Sequence, residues 1–169
     1  HTTRAMVDLS EIIRDTLSLR SDEQRPTNIA IIDKLEENLP KVFADTHQVQ
    51  QVLLNLVENA EQAMMTAHGR GTIVLRTWHD PDAESVLLEI QDDGPGIPED
   101  AQPRIFEPFF TTKDTGKGTG LGLTVAYAIM QEHGGQIRLV SNSSGGTNFQ
   151  IGFPCRTVPI VDPRPLCPN

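Results

Sequence analysis

Apolar residues Leu9, Ile12, Ile13, Leu17 and Leu19 recur at roughly helical spacing, and Asp8 or Ser10 can cap the helix they predict over residues 8–21. A polar stretch containing Pro26 breaks that pattern. Ile29, Ile31 and Ile32 then predict a strand over 28–35, followed by a connection over 39–45 with room for a short strand. The strongest local pattern is a helix over 46–67. There Val49, Val52, Leu53, Leu56, Val57, Ala60, Ala63 and Met64 follow the i, i+3, i+4 rule, and Gly69 and Gly71 end it. Residues 72–78 and 85–91 read as strands joined through the turn-prone Asp80-Pro81-Asp82. A third helix is expected over 121–132, stopped by His133-Gly134-Gly135. Residues 136–140 and 147–153 should close the fold as a hairpin around Asn142-Ser143-Ser144-Gly145-Gly146. Strands grouped with intervening helices imply an α+β two-layer sandwich with the helices on one sheet face.

At 169 residues the chain suits one domain with short appendages. We divide it into a lead-in helix over 1–22, a main domain over 23–154 and a tail over 155–169. The stretch from Pro154 to the end has five prolines in sixteen residues, the composition of a linker. The formal net charge of −9 and the lack of any Lys/Arg-dense run argue against sequence-independent nucleic-acid binding. No run approaches the ~18 apolar residues of a membrane-spanning helix, so no membrane contact is expected of this chain. Its start, His1-Thr2-Thr3-Arg4, carries neither an initiator Met nor a signal peptide, which we read as an excised cytoplasmic fragment whose parent could be membrane-anchored. Cys155 and Cys167 read as reduced thiols, since two late cysteines make neither a disulfide framework nor a zinc site.

Residues 92–119 form a connection too long to be passive. On the helix before it, Asn55, Asn59 and Gln62 make a polar stripe along one edge of the apolar face, with Glu58 further toward solvent. Carboxamide and carboxylate oxygens suit Mg²⁺, a hard cation that usually bridges to substrate phosphates. The strand over 85–91 then delivers Asp92 into the turn Asp93-Gly94-Pro95-Gly96-Ile97. A carboxylate there can accept from an exocyclic amine such as that of adenine, and the two glycines admit a close approach. Read alone, the same residues are also an ordinary surface turn. Downstream, Phe106, Phe109 and Phe110 could anchor a flap, and Gly116, Gly118, Gly120 and Gly122 lead straight into the third helix. Backbone N–H groups at a helix N-terminus bind phosphate, and Lys113 and Lys117 add positive charge. The segment is neither a P-loop nor a dinucleotide fingerprint.

The order of these features resembles the GHKL ATPase superfamily, and within it the catalytic domain of two-component sensor histidine kinases. Asn55-Leu56-Val57-Glu58-Asn59-Ala60 looks like its N box, Asp92-x-Gly94-x-Gly96 its G1 box, Phe106-x-Pro108-Phe109 its F box, and Gly118-x-Gly120-Leu121-Gly122-Leu123 its G2 box. Gly146-Thr147 resembles the closing motif. The wording Gln51-Val52-Leu53-Leu54-Asn55 and Phe110-Thr111-Thr112-Lys113 is most similar to nitrogen-regulation-type kinases. The resemblance implies a Bergerat fold with a mixed sheet. It implies ATP and Mg²⁺ as ligands, with Asn59 on the metal and Asn55 beside it. Asp92 would read adenine, Gly94, Gly96 and Ile97 would pass close to the base, and Thr147 would lie near it. Phe106, Thr111, Thr112, Lys113, Gly118, Thr119, Gly120, Leu121, Gly122 and Leu123 would complete the nucleotide site, with Asn55, Asn59 and Lys113 serving transfer. Gln62 and Ala63 stand where many members carry a basic residue and an aromatic.

The resemblance implies as partners a His-bearing dimerization domain and a response-regulator receiver domain, in a homodimeric parent. None of His1, His47, His68, His79 and His133 has the neighbourhood of an acceptor histidine, so the acceptor should lie outside this chain. Alternatives are a nucleotide-sensing module without catalysis, a GHKL ATPase driving conformational closure, and a structural α+β domain.

Overall fold

The computed structural model describes residues 3–20, 28–108, 122–140 and 145–155. Strands β1 (Ala5–Val7), β2 (Ile29–Lys34), β3 (Val42–Ala44), β4 (Gly71–Asp80), β5 (Ser85–Asp92), β6 (Gln136–Val140) and β7 (Asn148–Pro154) accompany helices α1 (Leu9–Leu19), α2 (Thr46–Ala67) and α3 (Gly122–Glu132). Five strands form one sheet in the order β2-β4-β5-β7-β6. β2 runs parallel to β4, and the other neighbours are antiparallel, so the sheet is mixed. The expected α+β sandwich is the observed architecture.

Strand alternation decides what faces the helices. Cross-strand pairs Leu75↔Ile90, Leu88↔Ile151, Val86↔Phe153 and Ile90↔Phe149 are all buried. They meet Val49, Val52, Leu53, Leu56, Val57 and Met64 of α2 and Ala126, Ile129 and Met130 of α3 in one core. Ala63, expected in that core, is only half-buried. The division drawn at residue 22 is not a division in packing: Leu9 and Ile13 of α1 are fully buried in the same core. Asp8 caps α1 by accepting from the backbone N–H groups of Ser10 and Glu11.

The sequence pattern did not predict β1. Its three residues pair with β3, as Ala5↔Ala44, Met6↔Phe43 and Val7↔Val42. This ribbon is fastened by Asp45, the N-cap of α2, whose Oδ2 accepts from the Thr3 backbone N–H at 2.6 Å and whose Oδ1 accepts from that of Gln48 at 3.1 Å. The first of these donors lies 42 residues away.

His133 is a buried strut in the same region. The Asp45 backbone N–H donates to its Nε2 at 3.1 Å, which makes that nitrogen the acceptor and places the ring proton on Nδ1, 2.8 Å from the Ile129 carbonyl. The ring meets Phe153 edge-on. His133→Phe keeps the aromatic packing but leaves a buried N–H unpaired. It should cost about 1–3 kcal/mol, read as a lower denaturant midpoint at unchanged m-value.

Candidate nucleotide site

Asp92 is the last inward residue of β5, opposite Ile73. The alternation that buries Val86, Leu88 and Ile90 therefore carries a carboxylate to the helix-covered side, where it is 6% exposed. Its Oδ1 accepts from the Gly94 N–H at 2.9 Å and from the Thr147 N–H at 3.1 Å. Its backbone N–H donates to the Thr147 carbonyl at 2.9 Å. Burial pushes the carboxyl above the usual range, and the neighbouring Asp93 charge adds to this against the two backbone donors.

The loop after Asp92 is built around close backbone approaches. A Cβ on Gly146 would collide with the Asp92 carbonyl oxygen. Gly96 has φ +81° and stands where a Cβ would meet the Gly145 carbonyl at 2.5 Å, so both its dihedral and its space require glycine. Gly94 lies against Met64 of α2, whose Cγ a Cβ there would reach at 3.1 Å. The start of β7, the loop after β5 and the C-terminal half of α2 thus meet around one carboxylate. Ile97 is half-buried against the core.

Along α2, nine residues separate Met64 from Asn55, a rise of about 14 Å. The edge between them carries Asn59, half-buried, and Gln62, exposed. At the far end Asn55 Nδ2 donates to the Gly122 carbonyl, the first residue of α3, at 3.0 Å. The structure thus brings together Asp92, Gly94, Gly96 and Thr147 at one end of this edge and Asn55, Gly122 and Leu123 at the other. Leu123 packs its side chain against the core.

Phe106 packs as an aromatic anchor. Its ring lies 5.2 Å from Tyr127 and 6.4 Å from Phe149 and packs against the core. It anchors the chain after the Asp92 loop, and its carbonyl accepts from Thr124 Oγ1 at 2.9 Å. Thr111, Thr112, Lys113, Gly118, Thr119, Gly120 and Leu121 lie outside the described residues, as do Phe109, Phe110, Lys117 and Cys167. Cys155 is a free, buried thiol.

The donor set suits a nucleotide and its metal. Asp92 offers an acceptor whose second oxygen takes neither of the two backbone bonds. No group of three or more His, Cys, Asp or Glu among the described residues could hold a metal ion. A cation at Asn59 would therefore need phosphate oxygens as co-ligands, the usual habit of Mg²⁺. Sequence reasoning missed Met64 as the floor under Gly94, and Gln51 and Thr124 as the partners that hold Asn55 and Phe106. Only the i, i+4 spacing of Gln51 and Asn55 was a readable signal.

Residues 44–157 match the family of histidine kinase-, DNA gyrase B- and HSP90-like ATPases. This chain belongs to that family. The catalytic domain of histidine kinase ThkA superposes with a TM-score of 0.76 at 34% identity, over 91% of this chain and 99% of that one. This places the chain among the ATP-binding catalytic domains of histidine kinases. ThkA has also been solved in complex with the response regulator TrrA, where the likeness covers 41% of that chain with a TM-score of 0.70 at 30% identity. Full-length ShkA in complex with AMPPNP matches with a TM-score of 0.77 at 28% identity, over 94% of this chain and 32% of that one. The sensory histidine kinase/phosphatase NtrB of Rhodobacter capsulatus is 36% identical over 182 residues, which cover 90% of this chain and 50% of NtrB. The chain spans half or less of the length of the curated relatives it matches. Among the described residues, no helix is long and apolar enough to cross a membrane.

Proposed function

We propose that this chain is the cytoplasmic phosphoryl-donor half of a sensor histidine kinase, binding Mg-ATP and passing its γ-phosphoryl group to a histidine on a separate dimerization domain. The observation that carries this is Asp92, a buried carboxylate with both backbone donors on Oδ1, at the end of an edge that leads past Asn59 to the start of α3. Its Oδ2 accepts the adenine amine, with Gly94, Gly96, Ile97 and Thr147 around the base. The N-terminus of α3, at the positive end of the helix dipole, takes the phosphates. Residues 111–113 and 118–121 complete that end by their motif. Asn59 would hold Mg²⁺ through its neutral carboxamide oxygen, and the ion when bound would supply positive charge against the phosphates. Gln62 brings no charge where the resemblance implies a basic residue in many members, which shifts that task to the metal, to Lys113 or Lys117, or to backbone N–H groups.

In the transfer, a ring nitrogen of the acceptor histidine attacks the γ-phosphorus. The bond to the β,γ-bridging oxygen breaks, ADP leaves, and the ring proton is lost. The protein's contribution is positioning and charge stabilisation. The phosphohistidine then serves a receiver domain, a partner supported by the ThkA–TrrA complex. Residues 1–22 would lead in from the dimerization domain of a homodimeric parent, and 155–169 form a Pro-rich tail or linker. Within the sensor kinases, the nitrogen-regulation type is supported by residues 51–55 and 110–113 and the likeness to NtrB.

Mg-ATP titration should show saturable binding by the chain alone. Radiolabelled ATP should leave no acid-labile label on it, yet label a supplied dimerization domain. Acid-labile label on the isolated chain, or no binding at millimolar ATP, would overturn the proposal.

A further inference from the structure

We infer that Asn55 is a positioning residue whose carboxamide clamps the first peptide of α3 to α2 and so aims the helix N-terminus at the phosphates. The inference rests on the nucleotide reading for its ligand and on three contacts for its geometry. Asn55 Nδ2 donates to the Gly122 carbonyl at 3.0 Å. Gln51 Nε2 donates to Asn55 Oδ1 at 2.8 Å, so both ends of the carboxamide are engaged by protein. Thr124 Oγ1 donates to the Phe106 carbonyl at 2.9 Å, so the same turn of α3 is also held by the chain that follows the Asp92 loop.

The peptide plane makes the first of these contacts consequential. The Gly122 carbonyl and the Leu123 N–H belong to one planar trans peptide and point in opposite directions. Fixing the carbonyl against α2 therefore fixes the N–H on the other side. The first four N–H groups of a helix have no partner within it, and they are the groups a phosphate would take. Gly122 has no side chain of its own to hold this turn, and a Cβ there would lie 3.9 Å from the Cβ and Cγ of Asn55. Asn55 therefore supplies from α2 the restraint that Gly122 lacks. Asn59, one helical turn onward on the same edge, remains the residue for the metal. The two asparagines of the motif divide the work: one aims the backbone, the other meets the cation.

The test is Asn55→Leu, near-isosteric and uncharged but without a donor. Three measurements decide it: hydrogen exchange of the ligand-free chain, and calorimetric titration with ATP and with adenosine, each with Mg²⁺ and with chelator. We expect faster exchange at the amides of 126–128, the first to bond within α3. ATP affinity should fall about tenfold with or without Mg²⁺, while adenosine affinity stays unchanged. Gln51→Ala, at an exposed position, should show the same pattern at about two- to threefold. Unchanged exchange, with loss confined to the Mg²⁺ titrations, would make Asn55 a metal ligand and overturn the inference. Equal loss of ATP and adenosine would reduce it to a general structural role. If the unsubstituted chain binds neither ligand, the nucleotide reading falls and the aiming role with it, while the exchange difference alone decides whether the clamp exists.

Discussion

Asp92→Asn should remove most of the nucleotide affinity and, at neutral pH, leave the ligand-free chain more stable than before. Both effects follow from the two oxygens having different partners. Oδ1 accepts from the Gly94 and Thr147 N–H groups, and an Asn carbonyl oxygen can keep both bonds. The loop geometry therefore survives. Oδ2 becomes an NH₂ group, a donor facing the adenine amine, itself a donor. An unmet buried pair of this kind costs about 1–3 kcal/mol, or roughly ten- to a hundredfold in affinity. The stability change has the opposite sign. Burial raises the Asp92 carboxyl above its usual range. A group raised on folding contributes stability below its unfolded pKa, and that stability is lost as pH rises through the folded value. Folding thus desolvates the ionised carboxylate at a cost, whereas the amide has no charge to desolvate. The affinity of the unsubstituted chain should also weaken as pH falls through the raised value, because a neutral carboxyl accepts less strongly than a carboxylate. ATP titration and thermal melts of both proteins across pH read all three effects. Unchanged ATP affinity in the variant would mean that the adenine end is misplaced. A lower melting temperature at neutral pH would mean that the buried charge is compensated within the protein.

On the nucleotide reading Asp92 would serve binding at some cost to folding, and the sequence pointed to it as the acid that a strand delivers into a two-glycine turn. Alternation along β5 runs Val86, Leu88, Ile90 and then Asp92, so a carboxylate falls where an apolar residue belongs. The helix over 46–67 was legible for a similar reason, because its periodic face is long enough to outweigh local ambiguity. What could not be read depends on pairing across the chain. β1 is only three residues and exists because β3 lies beside it. Asn55 was placed on the correct edge, but its partner at Gly122 lies 67 residues away, so the tie between the two helices could not be read. Phe106 was expected in the nucleotide site from its motif, and its ring contacts with Tyr127 and Phe149 could not be read from the sequence. Thr147 reaches Asp92 across 55 residues, and only the resemblance pointed to it.

The least legible feature should have the largest effect on stability. Replacing Arg20 by Met, or Glu61 by Gln, is expected to cost about 3–5 kcal/mol, the usual penalty for leaving one member of a buried ion pair alone. In the sequence each of these residues looks like a solvated charge. In the fold, Arg20 at the end of α1 grips Glu61 of α2 through both guanidinium arms, Nη2 to Oε1 at 2.7 Å and Nη1 to Oε2 at 3.0 Å. The two side chains are only 5% and 6% exposed. The hydrogen bond to Glu61 holds the guanidinium above its usual pKa against the cost of burial. The bidentate geometry satisfies both partners, so the pair is worth less than its loss suggests. Replacing both residues together, by Met and Leu, should therefore cost much less than the sum of the single changes. For a domain of this size the single variants should melt on the order of 10 °C lower. The position of the pair adds a functional consequence. Glu61 lies two residues beyond Asn59 on α2, and α1 shares the core with α2. The double replacement should keep α2 in place and preserve ATP binding. If it matches the sum of the single losses, the pair is not a coupled buried unit, and α1 is held by its apolar face alone.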